Sequence, residues 1–118
     1  MLAIAKVIEA RASLGAKRQV FLATLGSFHT HTNQLATQQE LFSELDPALG
    51  AFQAAMADIG ASDNVTSFTL SDFARTLQAN TGGGSDHGWG SHHIVAGGAV
   101  KGWEVVRHHA GTCTRRPE

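Results

Sequence analysis

The run Gln19-Val20-Phe21-Leu22-Ala23-Thr24-Leu25-Gly26 decides the fold. Its apolar side chains are continuous rather than alternating, which is the pattern of a strand buried on both faces in a parallel sheet covered by helices. Gly26-Ser27 ends the run, and Phe28-His29-Thr30-His31-Thr32-Asn33-Gln34 follows. Side chains of extended backbone repeat with period two, so His29 and His31 point the same way just past the carboxyl end of the strand. Two imidazoles placed there are suited to chelate a cation; the competing reading is a pair of exposed loop histidines.

On the amino-terminal side, residues 2–14 read as a helix, with Ile4, Val7, Ile8 and Ala12 at three- and four-residue steps and Gly15 as its stop. On the other side, residues 35–59 read as a long helical region. Leu41, Phe42, Leu45, Leu49, Phe52, Met56 and Ile59 form one apolar stripe, a core face rather than a cofactor box. Pro47 within it either kinks the helix or starts a second one capped by Asp46. Gly60 ends the region. Residues 65–70 read as a second strand, and Ser71-Asp72 opens a short helical turn through Leu77. Asp72 therefore stands at the end of a strand, either as an N-cap or as a ligand. Arg75 is placed to hold an anion bidentately or to make a surface ion pair.

Next comes Thr81-Gly82-Gly83-Gly84-Ser85-Asp86-His87-Gly88-Trp89-Gly90-Ser91-His92-His93, which holds five of the 13 glycines and three of the 7 histidines. Flexible backbone beside imidazole and carboxylate groups is how a chain builds a ligand or metal site; an exposed glycine-rich loop is the alternative. Residues 93–100 read as a third strand. Helix, strand, helix, strand, loop and strand together indicate an α/β fold, whose ligand sites lie at the carboxyl ends of parallel strands. His29, His31, Asp72 and the loop all fall at that edge.

With 118 residues, the chain is one domain's worth or a piece of a larger domain. Its 9 basic and 10 acidic residues give no electrostatic case for nucleic acid. Cys113 is the sole cysteine, which excludes an internal disulfide and a cysteine-rich zinc site. No run approaches a membrane span, and no signal peptide is read at the amino terminus. Histidine is the abundant functional side chain here.

Three segments carry a resemblance: residues 20–34, the run Phe68-Thr69-Leu70-Ser71-Asp72-Phe73-Ala74-Arg75-Thr76, and residues 84–93. Together with the helix at 41–60, they resemble DUF1501, a bacterial family of uncharacterised proteins placed in the alkaline phosphatase and sulfatase superfamily. The resemblance covers residues 17–102. It implies a partial alkaline-phosphatase-like, three-layer α/β fold with a mostly parallel sheet flanked by helices. It also implies a site for divalent metal, zinc or manganese, of the kind that clamps the oxygens of a phosphate or sulfate ester. By motif, Asp72, Asp86 and His87 are the expected ligands, with His31 next. His29 stands where the family usually has Asp, which removes a negative charge but leaves a nitrogen donor for zinc. His92, His93 and Arg75 are expected to contact an anion or support the ligands.

Residues 1–102 are expected to be the C-terminal portion of the family domain, without the strand that carries the nucleophile in related enzymes. Residues 103–118 are expected to be a divergent, disordered tail, the product of a frameshift or truncated reading frame, so His108, His109 and Cys113 are not counted as ligands. The leading functional expectation is a fragment of a metal-binding, hydrolase-like protein, inactive alone. The alternative is a non-catalytic binding or structural module that keeps the fold. An anion-binding role for the glycine-loop amides comes third, and nucleotide binding is weakest because no Walker or dinucleotide pattern is present. An uncovered sheet edge is expected to favour self-association, and the resemblance implies a periplasmic parent.

Overall fold

The computed structural model describes residues 1–102. Helix α1 spans Leu2–Glu9 and helix α2 spans Gln34–Asp58. A short 3-10 turn, Ser62–Asn64, leads to β1 (Ser67–Phe68), β2 (Ala74–Ala79), β3 (Ser85–Gly88) and β4 (Val95–Ala96). The tail from residue 103 onward, and with it His108, His109 and Cys113, lies outside the described residues.

The core is helical. Ala5 and Ile8 of α1 meet Phe52 and Met56 of α2 and Ala61 beyond it, with Ile4, Ala55, Ile59 and Val65 packed around them. The periodic stripe on α2 is therefore a core face, but burial is deep only in its second half: Leu41, Leu45 and Leu49 are half-buried, and Phe42 is exposed. Pro47 lies inside a single continuous α2, so the restart at Asp46 does not occur. α2 closes at Gly60, whose φ of 62° is left-handed. That turn lets the Ala61 amide reach back to the Met56 carbonyl at 2.8 Å, the six-to-one bond of a glycine-stopped helix. α1 is shorter than expected as a regular helix. It loosens after Glu9 into turns that end at Gly15, the anticipated stop.

Helices and strands are mixed, as expected, but the parallel sheet is corrected. The strands form two small antiparallel pairs, β1 with β4 and β2 with β3. Two corrections account for the difference. Residues 19–26 join no strand, and Val20 and Leu22 lie open to solvent. A strand is made by its neighbours, and the described residues supply no partner for this one. The helical turn expected from Ser71 through Leu77 is not formed: residues 74–79 are strand β2, because the glycine-rich segment folds back as β3 and pairs with them. A short connection joins strands only in antiparallel fashion. The third expected strand shrinks to Val95–Ala96. Among the described residues, no helix is long and apolar enough to cross a membrane.

Met56 is fully buried at 0% exposure. Met56→Ala is expected to cost about 2–5 kcal/mol by transfer and cavity effects, read as a lowered urea midpoint. The exposed Val20→Ala should stay within about 0.5 kcal/mol. Equal effects at the two positions would contradict a helical core.

Candidate metal centre

Three side chains from distant parts of the sequence meet at one point. His29 Nε2 lies 2.7 Å from His87 Nε2 and 3.0 Å from His31 Nε2. The ring centroids form a nearly regular triangle, with sides of 4.8, 4.8 and 5.0 Å. One ligand atom from each ring can be chosen so that all lie within 4.8 Å of one another, and the cluster can hold a metal ion. His31 is half-buried; His29 and His87 are exposed.

The backbone explains the convergence. Residues 31–34 run against the glycine turn: Thr32 bridges Gly83, the Asn33 amide donates to the Gly82 carbonyl, and the Gln34 amide donates to the Gly83 carbonyl. A Cβ on Gly84 would collide with the backbone carbonyl of His31, so this approach needs glycine. Asn80 locks the turn. Its Oδ1 accepts from the Gly82 and Gly84 amides, while its Nδ2 donates to the His31 carbonyl at 2.9 Å and to Asp86 Oδ1 at 3.0 Å. Ser85 is buried and donates to Gln34 Oε1. Arg75 donates to the carbonyls of Ser85 and Phe28, tying the hairpin to the histidine segment.

Asp86 does not point into the triangle through Oδ1. That oxygen sits 3.1 Å from His31 Nδ1. An ionised carboxylate only accepts, so Nδ1 carries the proton and Nε2 turns its lone pair toward the other two rings. A carboxylate behind a ligating histidine is the usual means of orienting the ring and raising its basicity. Phe73 closes one side, stacked on His87 at 4.3 Å and 9° and tilted against His29 at 5.1 Å. The Arg75 guanidinium lies over the Phe73 ring, 4.9 Å from its centre.

The remaining expected residues are dispersed. Asp72 is exposed and makes no hydrogen bond to the cluster, although its charge acts on His87. His93 contacts Ser91 and Thr69, and His92 is exposed. Arg75 is engaged by carbonyls rather than by an anion. The Gly82 and Gly84 amides are taken by Asn80, which removes them from the anion-binding reading of the loop. Sequence reasoning missed Asn80 and Phe73. Asn80 had a signal: Asn two residues before a glycine run is suited to bond backbone amides just ahead of it.

Charge is tuned in one direction. Burial against its neighbours, then the proximity of His29, His31 and Arg75, holds the His87 pKa below its ordinary value, with Asp72 opposing. Hydrogen bonds from Asn80 and then His31 hold the Asp86 carboxyl below its ordinary value. Neutral imidazole and ionised carboxylate are the forms that ligate and orient.

The signs of the two shifts agree. A histidine with a lowered folded pKa loses stability as pH falls through the ordinary imidazole value, and a carboxylate with a lowered one loses it as pH falls further through its folded value. In chelator-treated protein, the protection factors of the Arg75 and Gly90 amides, which bond each other's carbonyls at 2.8 and 2.9 Å, should begin to fall below about pH 6.5. His87→Ala should abolish this first fall. A flat profile down to the carboxylate range would contradict the assignment.

A family model described as Protein of unknown function (DUF1501) matches residues 3–107, and the chain belongs to that family. No curated protein and no solved structure matches the chain.

Proposed function

We propose that this member of the DUF1501 family binds one divalent metal ion through the Nε2 atoms of His29, His31 and His87, and that the site serves a phosphate- or sulfate-ester hydrolase-like protein. The observation that carries the reading is the convergence of three imidazole nitrogens, one of them backed by a carboxylate. Three nitrogen donors favour zinc over manganese, which prefers oxygen ligands. Donors around a tetrahedral zinc stand about 3.3 Å apart, so the His29–His87 and His29–His31 pairs, at 2.7 and 3.0 Å, would need only a small outward shift to accept it.

His29, His31 and His87 would hold the ion, which when bound would supply Lewis acidity toward an ester oxygen. The chain's own residues do the rest. Asp86 fixes the His31 tautomer, Asn80 holds Asp86 and the His31 backbone in one frame, and Phe73 shields the rings from water on one side. Asp72 is retained as a further anionic donor from the β2 side, supported by its electrostatic effect on His87.

The chain is read as inactive alone. Ser71 is committed to the Phe73 carbonyl, Ser85 to Gln34 and Ser91 to His93, so none of these three hydroxyls is bonded to the clustered imidazoles. The same observation favours the second reading, a non-catalytic metal-binding module. Self-association is also expected, since apolar backbone is left unpaired at residues 20–25.

Elemental analysis of protein purified without an affinity tag tests the site. About one equivalent of zinc is expected, as for a single structural or catalytic centre, and it should be lost in the His29→Ala, His87→Ala double variant. Absence of metal, or metal retained by the double variant, would sink the reading. Zinc-dependent turnover of p-nitrophenyl phosphate or p-nitrophenyl sulfate by the wild-type chain would overturn the inactivity and retain the hydrolase; metal without turnover supports the binding module.

A further inference from the structure

Residues 20–25, Val-Phe-Leu-Ala-Thr-Leu, are the longest apolar run outside the helices that the fold does not use. Val20 is 92% exposed and Leu22 86%, while Phe21 at 38% and Leu25 at 41% are partly covered. Among the described residues, no hydrogen bond engages residues 17–27, backbone or side chain. The segment therefore leaves unsatisfied two things that β-pairing supplies together: backbone partners and cover for β-branched and aromatic side chains. A short, uncharged, proline-free window of this kind is a template for pairing with another chain.

We propose that residues 20–25 pair antiparallel with the same residues of a second copy of this chain, about a twofold axis. The metal site plays no part in this contact. Charge selects the direction. Lys17 and Arg18 lie at one end of the segment, and no charged residue follows until Glu40, apart from titratable His29 and His31. In-register parallel pairing would set Lys17 on Lys17 and Arg18 on Arg18, a repulsive arrangement. Antiparallel pairing centred between Leu22 and Ala23 sets Arg18 opposite Ser27.

The same register matches size across the pair. Phe21 falls opposite Thr24, Leu22 opposite Ala23, and Val20 opposite Leu25, so bulky side chains face smaller ones. The ladder stops naturally at Phe28, whose ring packs on Phe42 at 5.7 Å and whose carbonyl is already taken by Arg75. A twofold contact uses the segment once in each copy and closes as a dimer.

Multi-angle light scattering of the full chain should give a dimer, and Leu22→Lys should give a monomer with unchanged far-ultraviolet circular dichroism, since Leu22 touches no core. In a Cys113→Ser background, mixing Arg18→Cys with Ser27→Cys protein under mild oxidation should yield the crossed disulfide. A wild-type monomer, an open-ended aggregate in place of a dimer, a Leu22→Lys chain that remains dimeric with native circular dichroism, or self-crosslinking of Arg18→Cys in preference to the crossed product would each overturn the proposal.

Discussion

The site depends on the close approach of Gly84 to the His31 carbonyl. Everything that converges does so because two backbones meet where no side chain intervenes. Gly82 and Gly83 then accept amides from the residues that open α2, and Asn80 bonds both sides of the junction. One helix start and one hairpin turn are thereby locked together, and His29, His31 and His87 have no choice but to share a point. The helical core at Phe52 and Met56 lies elsewhere along the chain. The site is therefore held by backbone hydrogen bonds and steric permission more than by apolar burial.

This has an electrostatic consequence. Burial against its neighbours first, then the proximity of His29, His31 and Arg75, holds the His87 pKa below its ordinary value. The ionised Asp86 orients one ring of the three, His31. A neutral His87 is the state in which imidazole ligates. A loop of exposed histidines scattered on a surface would show neither the shared point nor the orienting carboxylate.

Part of this was legible in the sequence. The period-two spacing of His29 and His31 put them on one side of the chain, with a pair of exposed loop histidines as the competing reading, and both are in the triangle. Asp86-His87 was singled out in the right segment, and the apolar stripe of α2 gave its core face. The rest depends on partners that local pattern does not encode. Residues 19–26 have the composition of a buried strand but find no neighbour among the described residues. Residues 74–79 have a composition compatible with a helical turn, and only the return of the glycine segment makes them a strand. Pro47 left two options open, and the continuity of α2 was decided by packing. Phe73 gave no signal at all, since an aromatic beside Asp72 is equally at home in a core.

The most direct test of the account is the zinc affinity of Gly84→Ala beside Gly50→Ala, a glycine whose added Cβ would meet nothing within 4 Å. Gly84→Ala adds no charge and removes no ligand, yet it should push His31 away from His87. The account predicts a loss of affinity of about 10–100-fold, the range seen when ligand-orienting contacts are broken, with Gly50→Ala unchanged. Wild-type affinity in Gly84→Ala would contradict the claim that this close approach builds the site.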